Sequence, residues 1–462
     1  MTINKSLTIQ ETFNIAVKNH QEGKTDVAKE LYNQVLKIDP NHSQALKNIA
    51  IIFINLKDFQ KAKECYEKVV EIDPNSTDAY YNLGLIFKEL KEYQKAKSCY
   101  EKADNIQPNN TIIQTNLGII FNDLGENKKA KECYEKAIKI NPDNGKAHYN
   151  LGAIYKDSGE LQKAKICFKK AIEINPNEQE AHNSLGVIFQ ELGEYHLAEN
   201  YFKKAIQIKP SDIRASNSLL TNLYKMNNQS ILFEELDSII NEGKMNAVIG
   251  SICSRSEVKY GVKKENPFCN NPLDYVLKKD LNQKYDFKNV FVKCVNNILK
   301  DDSISNRVQK LITNGYQTAG NLFANRDFET NEIQKIIKIE IEKYRLYFKD
   351  SKEGFIKNWP TNYNLNGWLI SMKKGGKLSA HMHDLGWLSG SIYINVPQKS
   401  DLESGNLVVC IDENENKNEN KKSIDVVTGS LCLFPSSLLH YTIPFESEEN
   451  RIVLAFDMIP NL

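Results

Sequence analysis

Residues 109–142 read NNTIIQTNLGIIFNDLGENKKAKECYEKAIKINP, and residues 143–176 repeat the pattern as DNGKAHYNLGAIYKDSGELQKAKICFKKAIEINP. An Ile-X-Pro motif closes six such units at a constant spacing. The six prolines are Pro40, Pro74, Pro108, Pro142, Pro176 and Pro210. Six in-phase copies indicate a repeat protein, in which neighbouring units share a continuous core because one unit cannot bury its apolar face alone.

Small and aromatic residues recur at fixed places within each unit. An alanine lies twelve positions before each proline, and an aromatic lies eight positions before it. A third small position holds Gly84, Gly118, Gly152 and Gly186, and Ala16 and Ala50 in the first two units. This pattern predicts two amphipathic helices per unit. Small residues would lie where the helices cross, the aromatic would lie between units and the proline would end the second helix. The pattern resembles the tetratricopeptide repeat. We expect an all-α solenoid over residues 1–228, with six repeats at about 9–212 and a capping helix starting within Ser216–Tyr224.

Asparagines follow the same period, two residues before the small position. They are Asn14, Asn48, Asn82, Asn116 and Asn150, and the sixth copy has Ser184. In tetratricopeptide proteins that grip extended peptides, an asparagine here hydrogen-bonds the ligand backbone from the concave face. An amide both donates and accepts, which suits sequence-tolerant binding. We therefore expect Asn48, Asn82, Asn116 and Asn150 to bind a protein or peptide; alternatively, asparagine is simply the usual residue at this position of the repeat.

Composition argues against several classes of partner. The chain has 60 Lys and Arg against 59 Asp and Glu, a net charge of +1, which favours neither nucleic acid nor an anionic membrane. No apolar run approaches the roughly 18 residues of a membrane span, and the N-terminus lacks a signal-peptide pattern. Four of nine cysteines follow the repeat, and none forms a CxxC pair. We expect a cytoplasmic protein; its oligomeric state is not predictable from these features.

The second half of the chain has a different texture. Residues 231–300 and 303–348 have mostly helical patterning, and we expect 229–300 to be a helical linker. From Trp359 onward, short β-rich stretches follow one another without helices. They start at Trp368, Leu388, Asn406, Ser430 and Arg451. We expect an α+β domain over 301–462 with a double-stranded β-helix (jelly-roll) core at about 360–462, and a disordered hairpin tip in the polar insert 412–423.

Three histidines lie in this strand region. His381 and His383 are separated by a single residue, so on a strand both side chains leave the same face, and His440 ends a later strand. Imidazoles suit iron, copper, zinc or nickel, and three histidines concentrated this way favour a metal site over a structural role. Arg451 follows His440 closely, yet with enough chain between them to return along the adjacent strand and clamp a carboxylate. The alternative for Arg451 is a surface ion pair with one of the glutamates at 446, 448 and 449.

The strand from Leu388 alternates apolar and polar residues. Ser389, Ser391, Tyr393 and Asn395 share one side, which beside a metal cluster indicates the lining of a cavity, with Tyr393 available to an anionic ligand. The alternative is an ordinary solvent-facing side.

The order His381-x-His383, LSGSIYIN (388–395), Gly405-Asn-Leu, LFPSSLLH (433–440) and Arg451 resembles the iron(II)- and 2-oxoglutarate-dependent oxygenases. It is similar to their prolyl-hydroxylase branch, and most similar to a group of bacterial and phage oxygenases with an HxH and a Ser-Gly-x-x-Tyr stretch. The resemblance implies that His381 and His440 bind Fe(II). It implies that Arg451 binds the distal carboxylate of 2-oxoglutarate with Tyr393 as a second contact. It also implies decarboxylation of 2-oxoglutarate to succinate and hydroxylation of a C–H bond, with ascorbate as an auxiliary reductant.

The metal motif departs from that family at one position. The usual third ligand is a carboxylate at the second position after the first histidine, where this chain has His383. We expect His383 to be the third ligand, with Asp384 either an alternative ligand or a residue that orients an imidazole. No catalytic residue beyond the metal site is expected.

Four functions are compatible with these features. The leading hypothesis is a protein hydroxylase whose solenoid recruits a polypeptide for the jelly roll to oxidise. The others are a small-molecule oxygenase, a non-catalytic adaptor with a metal-binding jelly roll, and a cupin-like metal enzyme without 2-oxoglutarate, against which Arg451 argues.

Overall fold

The structure is a computed structural model that describes residues 7–301, 306–307, 311–318, 320–323, 329–412 and 420–461. Residues 413–419 of the polar insert lie outside these ranges, so the hairpin tip expected there stays a prediction. The chain divides into two compact units, Met1–Ile154 and Tyr155–Leu462.

Helices of the first unit follow the period of the repeat, a 13-residue helix alternating with a 14-residue one. They are α1 (Ile9–Gln21), α2 (Thr25–Ile38), α3 (Ser43–Asn55), α4 (Phe59–Ile72), α5 (Thr77–Glu89), α6 (Tyr93–Ile106), α7 (Thr111–Asp123), α8 (Asn127–Ile140) and most of α9 (Gly145–Asp157). Each of the longer helices ends at the isoleucine of the Ile-X-Pro motif, because proline cannot donate the next helical hydrogen bond.

The small position of the repeat lies against the aromatic position. A Cβ added at Gly84 would lie 2.7 Å from the Tyr100 ring, and one at Gly118 would lie 2.6 Å from the Tyr134 ring. Both tyrosine rings are buried. The paired helices and close crossings expected from the repeat are therefore confirmed.

The second unit continues with helix pairs. They are α10 (Leu161–Ile174), α11 (Gln179–Glu191), α12 (Tyr195–Ile208), α13 (Ile213–Lys225), α14 (Gln229–Asn241) and α15 (Ala247–Tyr260). The stretch expected to start the capping helix lies within α13. Beyond it, the loop at 266–271 inserts the buried Phe268 between Phe355 and Trp387, with ring centroids 5.5 and 5.1 Å away.

Patterning between residues 229 and 348 predicts too much helix. Besides α16 (Lys293–Leu299) and α17 (Asn331–Tyr347), this stretch contains β1 (Leu277–Asp280), β2 (Asn306–Arg307) and β3 (Ile312–Thr318). The mostly helical prediction for 303–348 was wrong at β3, which pairs with the later strand β4. Short strands that depend on distant partners have weak local signals.

A helix, α18 (Gly354–Lys357), precedes the main run of strands. These strands are β4 (Tyr363–His381), β5 (Leu388–Asn395), β6 (Leu407–Cys410), β7 (Lys421–Ile424), β8 (Ser430–Pro435), β9 (Leu439–Thr442) and β10 (Arg451–Pro460). Their order is β1-β8-β5-β10-β4-β9-β6-β7, with β3 also pairing with β4, and every described pairing is antiparallel. The sheet forms a nearly closed barrel of jelly-roll type, which confirms the expected fold class of a tetratricopeptide solenoid followed by an α+β domain.

The two faces of β5 belong to different cores. Ile392 packs in a cluster with Ile337 and Tyr344 of α17, which covers that face of the sheet. The adjacent Tyr393 faces the opposite way, into a cluster with Cys432 and Val453. All of β5 except Asn395 is buried, so the expectation of a cavity-lining rather than solvent-facing side holds for Tyr393.

Candidate metal centre and cosubstrate pocket

Strand pairing brings the three histidines together. His381 ends β4 and lies directly opposite His440 of β9 in the ladder. His383 follows shortly after, in the turn beyond β4. The ligand atoms of the three side chains all lie within 4.8 Å of one another, and the described residues contain no other such cluster of His, Cys, Asp or Glu.

Hydrogen bonds leave nitrogens of His381 and His383 facing each other. His383 Nδ1 lies 2.7 Å from Asp457 Oδ1, and His381 Nδ1 lies 2.9 Å from the Ser379 carbonyl oxygen. Because both oxygens accept, each Nδ1 carries a proton, and each Nε2 is the nitrogen available to a metal ion. These Nε2 atoms are 3.3 Å apart. Two nitrogens bound at right angles to one ion, at about 2.1 Å each, would be about 3 Å apart. The donor set therefore fits a single metal ion such as Fe(II).

The electrostatics favour neutral imidazoles at two of the three positions. Burial, reinforced by His383, lowers the pKa of His381 to about 4. Burial also holds the pKa of His440 well below its usual value, with repulsion from the other two imidazoles. Burial would lower the pKa of His383 too, but the Asp457 carboxylate outweighs it and raises that pKa. Neutral imidazole is the form that binds metal.

Asp457 is a site residue that the sequence patterns did not single out. It lies on β10, is 5% exposed, and accepts from His383 and from the Ser389 hydroxyl at 2.8 Å. The sequence feature that could have identified Asp457 is its place as an isolated acid in the apolar strand Arg451–Pro460. A carboxylate buried in such a strand needs hydrogen-bond partners. Asp384, by contrast, is exposed on the wall of the outer cavity and lies outside the convergent cluster.

Arg451 is buried beside the cluster, at the start of β10. It is 1% exposed, its Nη2 donates to the Gly405 carbonyl oxygen at 3.2 Å, and its Nε has no hydrogen-bond partner. The guanidinium carbon lies 5.0 Å from the centre of the Tyr393 ring. Burial lowers the pKa of Arg451. Among the described residues, no carboxylate forms an ion pair with Arg451. Two of the glutamates considered as its partners, Glu446 and Glu448, pair with Lys374.

The inner cavity contains the predicted cosubstrate residues. The three histidines, Tyr393, Arg451 and Ser391 line it together with apolar side chains from the barrel. Its volume is about 20 Å³, room for one water molecule. A dicarboxylate such as 2-oxoglutarate fits the charge of Arg451, but its entry requires the lining side chains to move apart.

A larger outer cavity of about 760 Å³ adjoins this site. His381, His383 and Trp368 belong to both cavities. The last helices of the repeat region also line it, through Asn183 of α11 and Asn217 of α13. The sequence patterns did not single out either asparagine. They are nevertheless separated by one repeat, and each directly precedes a serine (184 and 218) at the position that asparagine occupies in the earlier repeats.

The expected peptide-binding asparagines lie in the first unit. Three of their amide nitrogens donate to the protein itself: Asn48 to Tyr32 Oη at 3.1 Å, Asn82 to the Asp78 carbonyl at 2.8 Å and Asn116 to the Ile112 carbonyl at 2.9 Å. Asn150 Nδ2 is buried without a partner. Asn116 Nδ2 also donates to Tyr81 Oη at 3.5 Å, and a binding role for the ladder stays a prediction.

Family models match both parts of the chain. Residues 366–457 match the family described as "Putative 2OG-Fe(II) oxygenase". Residues 8–228 match the model of the C-terminal domain of cilia and flagella-associated protein 70, a tetratricopeptide-type domain. No curated protein matches the chain.

Three solved structures are similar to part of the chain. MamA is 31% identical, over 35% of this chain and 95% of that one, with a TM-score of 0.34. YrrB, a TPR protein with an unusual peptide-binding site, is 23% identical over 40% of this chain and 95% of that one, with a TM-score of 0.34. PilF of Pseudomonas aeruginosa is 19% identical over 45% of this chain and 94% of that one, with a TM-score of 0.40.

The chain thus joins tetratricopeptide-type repeats to a C-terminal domain that matches the family described as putative 2OG-Fe(II) oxygenases and contains a cluster of three histidines. Its three histidines depart from the general triad of two histidines and one carboxylate, because His383 occupies the position at which a carboxylate would be expected. Along the described part of the chain, no helix combines the length and apolarity that crossing a membrane requires.

Proposed function

We propose that this protein is an Fe(II)- and 2-oxoglutarate-dependent oxygenase that hydroxylates a polypeptide held by its repeats. The observation that carries the proposal is the outer cavity, whose walls combine the metal-site histidines with asparagines from repeat helices. A substrate held by those helices would reach the metal site without leaving the protein.

The metal would be held by His381, His383 and His440. Bound Fe(II) with 2-oxoglutarate supplies the oxidising chemistry: O₂, 2-oxoglutarate and R–H become R–OH, succinate and CO₂. The protein's own contribution is to hold three imidazole nitrogens towards one point, with His381 and His383 oriented through their Nδ1 protons. The surrounding barrel shields His440 from bulk water, since that residue is 5% exposed.

Arg451 would bind the distal carboxylate of 2-oxoglutarate. Its Nε is a buried donor without an acceptor, and a carboxylate would provide both the acceptor and the opposite charge. Tyr393, against the guanidinium, would be a second contact. The guanidinium of Arg451 would have a counterion only when 2-oxoglutarate is bound, so the affinity for 2-oxoglutarate would depend on Arg451.

The outer cavity favours a polypeptide substrate. Its volume of about 760 Å³ is within the range of ligand sites and exceeds the space for one side chain. Amide side chains at 183, 217, 321 and 366 line it, and such groups match peptide N–H and C=O groups. The ladder Asn48, Asn82, Asn116 and Asn150 of the first unit would bind a polypeptide as well.

We also propose domain boundaries of 1–228 for the repeats, 229–300 for the connection and 301–462 for the oxygenase domain. The connection contributes β1 to the barrel, paired with β8. Nine cysteines lie without disulfides, which supports a reducing compartment such as the cytoplasm.

The test is formation of succinate by purified protein with Fe(II), ascorbate and 2-oxoglutarate. We expect slow uncoupled turnover that vanishes in His440→Ala and persists in His196→Ala, a matched change at an exposed histidine of α12. A degenerate peptide library under heavy-oxygen gas would then identify the hydroxylated product by mass. Metal binding without succinate under all these conditions would contradict the proposal and indicate a non-catalytic adaptor. Labelling of an added metabolite rather than any peptide would indicate a small-molecule oxygenase.

A further inference from the structure

A buried chain of hydrogen bonds leads away from the metal-site histidines. Asp457 Oδ1 accepts from His383 Nδ1 at 2.7 Å and from Ser389 Oγ at 2.8 Å. Ser389 Oγ in turn lies 2.8 Å from Ser436 Oγ, so Ser436 donates to Ser389 and Ser389 donates to Asp457. Asp457, Ser389 and Ser436 are 5%, 1% and 1% exposed.

Backbone packing holds this network in one position. A Cβ added at Gly386 would lie 2.5 Å from Ser436 Oγ and 3.3 Å from Asp457 Oδ1. The turn after His383 therefore passes so close to the network that a side chain at position 386 would displace Ser436. Strand pairing also places Asp457 directly opposite Ser389. The carboxylate is thus fixed by two strands and a turn before any metal binds.

The charge of the metal site gives this carboxylate a role. Three neutral imidazoles leave a divalent ion with its full charge of +2, whereas a site with one carboxylate ligand has a net charge of +1. Asp457 would supply a negative charge near the ion without binding it directly, because its carboxylate is hydrogen-bonded to the imidazole of His383. Asp384, which follows His383 in the sequence, has no described hydrogen bond to an imidazole and is exposed.

We propose that Asp457 is a positioning residue of the metal centre, which fixes the tautomer of His383 and supplies the negative charge that the three-histidine ligand set lacks. This inference rests on the metal site of the proposed function and on no assumption about the substrate. Removing the charge weakens divalent-metal binding and leaves the bound iron more oxidising, because the Fe(III) state needs negative charge most.

The experiment compares Asp457→Asn with the wild type. Anaerobic titration with Fe(II), and with Co(II) as a spectroscopic probe, should show about 10- to 100-fold weaker binding, and the Fe(III)/Fe(II) midpoint potential should rise. Asp425→Asn, at an exposed acid of the same barrel paired with Lys399, is the control and should bind as the wild type does. In metal-free protein, nitrogen NMR of labelled histidine should show an Nδ1 proton on His383 that Asp457→Asn redistributes.

The outcomes separate this inference from the proposed function. Wild-type protein that binds no Fe(II) would contradict the proposed function itself. Equal affinity and equal potential in wild type and Asp457→Asn would overturn only the role of Asp457, as would a loss confined to Asp384→Asn. If Asp457→Asn does not fold, Ser389→Ala removes one hydrogen bond from the same carboxylate. It should weaken Co(II) binding severalfold and shift the His383 nitrogen signals, and unchanged values in that variant would overturn the inference.

Discussion

Arg451 has a positive charge inside the barrel that no described carboxylate neutralises. Its partners are one carbonyl oxygen at 3.2 Å and the face of Tyr393, while its Nε donates to nothing. A buried charge without a counterion lowers the stability of a folded protein. An arrangement of this kind is consistent with selection for a ligand rather than for stability.

Removing the charge of Arg451 should therefore affect cosubstrate binding much more than the stability of the fold. Replacing it in Arg451→Gln should raise KM for 2-oxoglutarate by roughly 100-fold, about 3 kcal/mol, because a charge-assisted hydrogen bond is lost. The free energy of unfolding without ligands should change by less than about 1 kcal/mol, since an unpaired charge is also removed. Succinate assays and urea unfolding measure the two quantities.

Arg345→Gln provides the comparison for that experiment. Arg345 lies on α17, is 46% exposed at its side chain and pairs only loosely with Glu342 at 3.8 Å. It should leave KM for 2-oxoglutarate at the wild-type value. An unchanged KM in Arg451→Gln would show that the cosubstrate carboxylate binds elsewhere.

At the scale of elements, a buried glutamate on α17 joins that helix to the edge of the barrel. Glu340 accepts from Lys343 at 2.5 Å, from Lys279 of β1 at 3.1 Å and from the Tyr285 hydroxyl at 2.7 Å. Burial alone would raise the pKa of Glu340, but these hydrogen bonds outweigh it and lower the pKa to about 2. Because its side chain is only 4% exposed, solvent screens these interactions little.

This lowered pKa predicts acid-sensitive stability. Since the folded pKa is below the unfolded one, the stabilisation is complete above the unfolded pKa of about 4.5 and is lost as the pH falls towards 2. Glu340→Gln should reduce the free energy of unfolding by about 2–3 kcal/mol at neutral pH and by progressively less below about pH 4. Urea unfolding over this range measures it. Glu332→Gln, an exposed change on α17, should show no such dependence, and a pH-independent difference for Glu340→Gln would contradict the assignment.

The elements also show what local sequence predicts and what it misses. Periodic contacts are visible in sequence because both partners recur, as with Gly118 and Tyr134, which lie close together in the chain and return in the next units. Long strands such as β4 and β10 have enough β-rich residues to be recognised. The strand β1 does not, because its pairing depends on β8, which lies far along the chain.

The metal site shows the same limit. The histidines and Arg451 were predictable because metal ligands and carboxylate receptors are restricted to few residue types. Asp457 is joined to His383 only by strand pairing across 74 residues, and an aspartate in a strand has many ordinary explanations. Direct ligands were therefore accessible from the sequence, and the residue that orients one of them was not.

At the scale of the second unit, the repeats contribute a wall of the cavity that leads to the metal site. Asn183 of α11 lines it, and its Oδ1 is buried without a hydrogen-bond partner among the described residues. Asn217 lines it too, but its Oδ1 already accepts from Asn246 Nδ2 at 3.0 Å. Asn183 therefore has the acceptor that a peptide N–H from a bound polypeptide would satisfy.

Removing that acceptor should affect the polypeptide more than the cosubstrate. With a peptide identified by heavy-oxygen labelling, Asn183→Ala should raise KM for the peptide by about 5- to 30-fold, which corresponds to about 1–2 kcal/mol for one hydrogen bond. KM for 2-oxoglutarate should change much less, because Arg451 lies in the inner cavity. Asn177→Ala, an exposed change in the turn before α11, should alter neither constant. Equal changes in both constants would place Asn183 at the metal centre instead, and no change in either would mean that the polypeptide approaches the iron without touching α11.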